Sequence, residues 1–597
     1  MSGVKKREDI EVQYKWKLED IYDAEEKWEE DFRQVGILAE EIDGYKGALA
    51  ESSNNLLTVL ELLDKVQGKA EKIYVYAKMR RDEDNTNSYY QVLYDRAEGL
   101  SVHLGSITSY VVPEIISIPD EKLTGFINEN QGLQLYQHFF DELMRQKEHI
   151  LSPQEERLLA MAADLTIVSR NIFSMLNNAD IKFPVILDED GQEIEITKGR
   201  YGRFMESGDR RVRKDAFEGL YSTYKKIINT LSATLSSSVK KDIFYARSRK
   251  YPGALEASLD QDNVPAEVYE RLIETVHNSL DYIYQYMGIR KKMLGIDELH
   301  MYDIYTPLVK DLRINISYEK AKELVINALK PLGEDYLSIL TDGINSGWID
   351  VYENEGKTSG AYSWGCYDSH PYVLMNYDNK LDDVFTLAHE MGHSMHTYYS
   401  NKTQPYIYSQ YSIFVAEVAS TVNESLLIDY LLKNCENKQE RIYLINHYLE
   451  QFRGTVYRQT MFAEFEKIIH ETVEKGGALN PDTLNSIYRK LNCLYYGPGV
   501  ISDSEIDIEW ARIPHFYSAF YVYKYATGFS AATAIKQRIL NKEPGALQSY
   551  LEFLKSGGSD YPLNLLKKAG VDLTSPQPVE AALKYFGELV NELELCR

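Results

Sequence analysis

Residues 389 to 393 of this 597-residue chain read His-Glu-Met-Gly-His. At helical pitch, residues four apart lie about 40° apart around the axis and roughly 6 Å apart along it, so His389 and His393 project from one face and can share a metal ion. Glu390 is rotated about 100° from His389, which sets its carboxylate beside an open metal position, where it can act as general base toward an attacking water. The neighbours Val384, Phe385, Leu387, Ala388, Met391 and Gly392 are apolar or small, so the polar groups of the motif are buried and need a partner.

A hydrolytic zinc site takes three protein ligands and leaves a fourth position open. Glu417, in the apolar run 414–420, lies on a second amphipathic segment that follows a turn-bearing connection at 400–405. Two histidines from one helix and a glutamate from the next predict one Zn²⁺ per chain, held by His389, His393 and Glu417. Ligand histidines usually donate their second N–H to a carboxylate or carbonyl. Glu424, two turns beyond Glu417, is one candidate acceptor and Asp383 another. His396 faces the side of His393, but as a fourth ligand it would close the site, so it is assigned to the outer shell or the substrate-lining surface.

The elements that must position these residues are almost all helical. From residue 24 to 42 the apolar residues Trp28, Phe32, Val35, Leu38 and Ile42 recur at helical spacing, and similar stripes continue to about residue 180. Ser152, Pro153 and Glu155 form a helix-start signature with a capping box. Residues 183–197 predict a β-hairpin with Gly191 in its turn. The basic cluster at 210–214 is expected to be a solvated helix face. Segments at 348–352, 360–365 and 372–375 predict a short β-meander next to the metal helix, and the strand at 360–365 is the candidate edge for binding an extended peptide. Helical patterning then runs to the end of the chain, with a sharp link at Gly497-Pro498-Gly499. The domain reading is a helical N-terminal lobe at 1–195 and a catalytic region at 196–597.

Composition narrows the function. Lys and Arg number 66 against 91 Asp and Glu, a formal charge of −25, which argues against nucleic acid and anionic membranes as partners. The four cysteines form no CxxC pair and are too sparse for a disulfide framework, which suits a reducing compartment. The N-terminus shows no apolar segment behind its basic residues, and no run of about 18 apolar residues occurs. The expectation is a cytoplasmic protein; the sequence leaves its oligomeric state open.

Residues 389–396, with Phe414-Val415-Ala416-Glu417 and Glu424, resemble the thimet oligopeptidase group of zinc metallopeptidases. More narrowly, residues 251–257 with Asn263-Val264-Pro265, Gly360-Ala361-Tyr362-Ser363, and residues 513–517 with 520–523 resemble oligoendopeptidase F. That resemblance spans about residues 250–530. It implies a mainly α, two-lobed helical ellipsoid with the zinc at the floor of a deep central channel and a small β-sheet beside the zinc helix. It also implies hydrolysis of internal bonds of short oligopeptides. His515 and Tyr521 are its best matches for stabilising the oxyanion, with Tyr517, Tyr523 and Tyr525 as alternatives in another register. Gly360, Ala361 and Tyr362 on the candidate edge strand, together with His396 and Tyr523, are the candidate substrate-binding residues. Two rival readings stand beside this one. A carboxypeptidase or dipeptidyl-carboxypeptidase would need a cation for the substrate's terminal carboxylate, for which Arg512 is the candidate. A non-catalytic helical peptide-binding protein would have lost a ligand or the base, and all four residues are present.

Overall fold

The computed structural model describes residues 4–309 and 315–596. The chain folds into two compact units, each made from non-contiguous segments. The first comprises Met1–Lys147, Arg313–Tyr430 and Ile535–Gly570; the second comprises Glu148–Leu312, Leu431–Ala534 and Val571–Arg597. This division differs from the expected single boundary at residue 195, because helical stripes far apart in the chain close one core. A linear reading detects the stripes and not their pairing.

Helices dominate both units, and the strands among the described residues are confined to three small sheets. In the first unit the stripe at Trp28, Val35, Leu38 and Ile42 lies on helix Glu25–Asp43 and is buried. It packs in a core with Leu56, Val59, Ile73 and Met79 of the long helix Ser53–Glu83. Tyr372, Leu374 and Cys366 belong to the same core, so the sheet beside the metal helix is anchored by apolar burial. All four cysteines are free thiols.

That sheet is mixed, and the expected meander is corrected. Tyr372–Leu374 is the central strand, antiparallel to Tyr362–Trp364 and parallel to Ile349–Asp350. The reason lies in the intervening loop. The buried ammonium of Lys357 pairs with Asp350 and donates to the carbonyls of Tyr352 and Met375. Satisfying a buried cation draws the loop against the sheet, and the following strand pairs at the far edge. Tyr362–Trp364 is therefore an edge strand, as expected.

In the second unit the hairpin forms as predicted, with Val185–Leu187 antiparallel to Glu193–Glu195 and Gly191 at φ 76°. Ser152 caps helix Pro153–Thr166 with the expected reciprocal bonds to Glu155. The stretch Gln154–Asp180 is long and apolar enough to cross a membrane by length and composition, its 18-residue apolar window having a mean hydropathy of 1.3 with 11% of it buried. Arg157, Asp164 and Arg170 interrupt its apolar residues.

The basic cluster at 210–214 is only partly a solvated face. Arg213 is 3% exposed and donates to Asp303 at 2.7 Å and to the Ser207 carbonyl at 2.7 Å. Arg210 reaches the same fully buried carboxylate at 2.9 Å. Periodicity cannot reveal a buried anion 90 residues away. Arg213→Met removes buried hydrogen bonds to Asp303 and the Ser207 carbonyl while Arg210 still compensates the carboxylate, so it is expected to cost about 1.5–3 kcal/mol. Lys214→Ala, at an exposed position, should cost less than about 0.5 kcal/mol. Urea denaturation of the two variants beside the parent chain checks the difference.

Candidate metal centre

Helix Leu381–Thr403 carries the HExxH residues and helix Ile413–Asn434 carries Glu417 and Glu424. They cross with almost no space between them. A Cβ built on Gly392 would lie 2.5 Å from Ser420 Cα and 2.8 Å from the Ala419 carbonyl oxygen, too close for any residue but glycine. One turn further along, Asn423 donates to the Ala388 carbonyl at 3.1 Å and accepts from the Tyr336 hydroxyl at 3.1 Å. The isolated glycine inside a helical pattern was the available signal of close approach; Asn423 and Tyr336 had none.

The crossing brings three donors together. His389 Nε2 and His393 Nε2 are 3.1 Å apart, and Glu417 Oε2 lies 3.4 Å from the first and 3.7 Å from the second. Donors at about 2.0–2.1 Å from a tetrahedral cation are separated by about 3.3 Å, so the three atoms fit one ion. Among the described residues this is the one group of three potential ligands whose donor atoms lie within 4.8 Å of one another. Glu417 keeps 40% of its side chain exposed, which leaves the outer side of the cluster accessible.

The outer contacts orient the ligands. His389 Nδ1 contacts Glu424 Oε1, leaving Nε2 for the cation, and His393 bonds to the Ala416 backbone. Burial opposes a charge on His389, but hydrogen bonds to Glu417 and Glu424 prevail and raise its pKa to about 10. Burial and the charge of His389 push His393 down to about 4. The bond with His389 in turn holds Glu417 below the ordinary carboxylate range, against the cost of its burial. One positive charge is thus favoured between the histidines and the two glutamates, and a divalent cation can supply it in place of a proton.

Glu390 is 7% exposed. Burial, only partly offset by His389 and reinforced by the charges of Glu417 and Glu424, raises its pKa to about 7, while a backbone bond from Ser363 steadies the carboxylate. Ser363 belongs to the edge strand, and its hydroxyl shares a 2.8 Å hydrogen bond with Ser394 on the metal helix. The sequence names Ser363 only within the Gly360–Ser363 motif and gives neither serine this role, since a short strand–helix contact leaves no periodic trace.

Other expected site residues lie elsewhere. Asp383 accepts from the Asp378 and Lys380 amides at 2.8 and 2.9 Å and caps its helix; at the first turn, unpaired amides outcompete a distant imidazole. His396 is 1% exposed, its ring stacked 3.6 Å from that of Tyr411. Three residues past His393 it has turned about 60° back around the helix, into the interior. Burial and the charge of His393 push it to about 3, so it is neutral. Tyr362 points its hydroxyl at Asp82, 2.9 Å away, and packs beside Trp16, leaving only its main chain for a peptide. Gly360, at φ 86°, and Ala361 precede the strand, and the Gly360 carbonyl accepts from Asn376 at 2.8 Å.

In the second unit, His515, Tyr521 and Tyr525 form a half-buried aromatic cluster: His515 Nε2 and the Tyr525 hydroxyl are 3.5 Å apart, and the rings of His515 and Tyr521 lie 6.4 Å apart. Burial, then the charge of Arg458, lowers the His515 pKa. Tyr523 is fully buried against Tyr269, and Tyr517 is buried against Phe173 with its hydroxyl on Thr234. Their side chains are core, which corrects the substrate-binding assignment of Tyr523 and leaves Tyr521 and Tyr525 as the accessible tyrosines of this segment. Phe520 adopts φ 55°, and its N–H is held at 3.2 Å by the fully buried Glu466, which sets the direction of the chain into Tyr521. Arg512 pairs with Glu509 at 2.6 Å and donates to Tyr221 at 3.2 Å, so much of its guanidinium is engaged within the protein.

A half-buried HExxH pair completed by a glutamate on a crossing helix, in a mainly helical chain, defines a metallopeptidase class, and sequence comparison specifies it. The chain belongs to Peptidase family M3, whose profile matches residues 203–585, and the Oligopeptidase F profile matches residues 114–183. It is 50% identical over 588 residues to oligopeptidase PepF of Bacillus subtilis, covering 98% of this chain and 88% of that one. Group B oligopeptidase PepB of Streptococcus agalactiae is 41% identical, with 98% of each chain covered. The crystal structure of oligoendopeptidase-F from Enterococcus faecium superposes with a TM-score of 0.74 at 39% identity, covering 96% of this chain and 99% of that one. The protein is a metallo-endopeptidase with a mainly α fold.

Two substitutions probe the centre. Gly392→Ala must push the helices apart at a cost of about 1–3 kcal/mol, and it should lose bound metal while the far-ultraviolet circular dichroism stays helical. Glu424→Gln keeps all three ligands yet should weaken metal affinity about 10- to 100-fold, measured by competition with a chelator.

Proposed function

We propose that the chain is a zinc-dependent oligopeptidase that cuts internal bonds of short peptides with Glu390 as general base. The observation that carries this reading is the convergence of His389 Nε2, His393 Nε2 and Glu417 Oε2 within 3.1–3.7 Å of one another, with the buried Glu390 beside them. The names of the relatives, oligopeptidase and oligoendopeptidase, support the substrate class.

His389, His393 and Glu417 would hold the ion; imidazole nitrogens with one carboxylate suit zinc better than magnesium or calcium. Zinc, when bound, supplies Lewis acidity that acidifies water and polarises the scissile carbonyl. Glu390 takes the proton of the attacking water and later returns it to the leaving amine. A base with a pKa near neutrality can do both, and burial gives Glu390 a value of about 7. The Ser363 bond fixes the carboxylate as it changes protonation. The edge strand Tyr362–Trp364 offers main-chain groups along which an extended peptide can lie, giving affinity with little sequence selectivity. The family resemblance makes Tyr521 or Tyr525, which cluster with His515, the candidate oxyanion donor. The carboxypeptidase reading is disfavoured, because Arg512 already pairs with Glu509.

Glu390→Gln should retain about one zinc per chain and lose about 10²- to 10⁴-fold in kcat on a quenched fluorescent peptide of about nine residues. Equal activity of the two proteins would remove Glu390 from the mechanism. Tyr521→Phe and Tyr525→Phe should differ, the oxyanion donor losing about 10²- to 10³-fold in kcat. A C-terminally amidated peptide should still be cut at an internal bond, identified by mass spectrometry.

A further inference from the structure

In the second unit, a single peptide group is held from both sides. The bond between Ala519 and Phe520 offers its carbonyl oxygen to the Ser258 hydroxyl at 3.1 Å and its N–H to the Glu466 carboxyl at 3.2 Å. Ser258 lies on helix Ala254–Leu259 and Glu466 on helix Arg458–Glu474, so two elements distant in sequence grip one peptide plane. The residue after that plane, Phe520, adopts φ 55°, a left-handed conformation that is an outlier for so bulky a side chain. Its ring is 1% exposed and packs against His470 at 4.5 Å and Tyr269 at 5.8 Å. Such a conformation persists only where the surroundings over-determine it, and it concentrates at working sites.

Glu466 is fully buried, and its second oxygen bonds to no group among the described residues. Burial drives its pKa well above the ordinary carboxylate range, with the Phe520 amide opposing the shift and Asp242 adding to it, so the carboxyl is neutral and serves as an acceptor. A buried carboxyl with one side-chain bond is costly to the fold, and the Phe520 N–H is the group it serves. Rotation of the clamped plane would exchange its oxygen and its N–H, let Phe520 relax to negative φ and redirect the residue that follows. That residue is Tyr521, whose carbonyl accepts from the Lys524 amide at 3.2 Å at the start of helix Tyr523–Leu540. Its ring is half-buried, 5.4 Å from that of Tyr525 and 5.9 Å from the Lys524 ammonium, and its hydroxyl makes no hydrogen bond among the described residues. Tyr525 lies within the helix, which fixes its direction without the clamp.

We propose that Glu466 and Ser258 are positioning residues for peptide hydrolysis: by holding the Ala519–Phe520 peptide in its strained orientation, they aim the Tyr521 hydroxyl at the developing oxyanion. The proposal rests on the oligopeptidase reading above, with Tyr521 as the donor. Both residues act through Tyr521, and the catalytic group is the phenol. An oxyanion donor is worth most when it is in place before the charge develops, and a misplacement of about 1 Å can cost about 10²-fold in rate. A clamp seated in the core supplies that preorganisation.

Kinetics of the full chain and its variants on the quenched fluorescent peptide, with zinc content measured in parallel, test this. Glu466→Leu removes the acceptor and should lower kcat about 10- to 100-fold, with KM within about twofold of the parent and about one zinc retained. Glu466→Gln keeps a neutral acceptor of the same shape and should stay within about threefold of the parent. In a Tyr521→Phe background Glu466→Leu should cost nothing more, since both changes remove one effect. Ser258→Ala should repeat the pattern with a loss of about three- to tenfold, and it carries the same cycle if Glu466→Leu does not fold. Three results would overturn the clamp while leaving the oxyanion role of Tyr521 standing: parental kcat in Glu466→Leu beside a loss in Tyr521→Phe, equal losses in Glu466→Gln and Glu466→Leu, or losses that multiply in the double variant. Parental kcat in Tyr521→Phe would remove both the clamp and the oxyanion role.

Discussion

The site depends on one steric fact: helices Leu381–Thr403 and Ile413–Asn434 touch backbone to backbone at Gly392 and Ser420. The two histidines would share a face of their helix in any helical environment. Glu417 reaches them only because no side chain stands between the helices at the crossing. Around that contact the chain adds polar ties. Asn423 reads the Ala388 carbonyl and is itself held by Tyr336, and Glu424 meets His389. A packed glycine contact resists sliding, and directional hydrogen bonds fix rotation. Together they hold three donors at spacings suited to one cation.

Electrostatics then separates residues that look alike in sequence. Glu390, Glu417 and Glu424 lie in one neighbourhood, but their surroundings give them different tasks. Glu417 is held below the ordinary carboxylate range by its bond with His389, while burial lifts Glu390 to about 7. The proposed ligand has to stay ionised and the proposed base has to exchange protons near neutrality, so the shifts run in the directions those proposed roles need. The edge strand takes part through Ser363, which ties the base to the sheet.

The second unit shows the same economy of buried charge. Asp303 is neutralised by Arg210 and Arg213, and Glu509 by Arg458 and Arg512. Each carboxylate takes two guanidinium groups, and the result is a fastener.

Local pattern alone determined the helical class, the hairpin at 185–195, the cap at Ser152 and the HExxH pair, and it pointed to Glu417, which the structure brings beside that pair. These rest on spacing along one element, or on a motif whose residues keep their order, and a linear chain records both. Tertiary structure decided what depends on the distance between elements. It made Asp383 a cap, sent His396 and Tyr523 into the interior, and left Tyr521 and Tyr525 accessible. It placed the strand at 372–374 in the middle of its sheet, and built each compact unit from distant segments. A residue's type and period say which face it occupies; only packing says what that face meets, because burial and hydrogen-bond partners come from other parts of the chain.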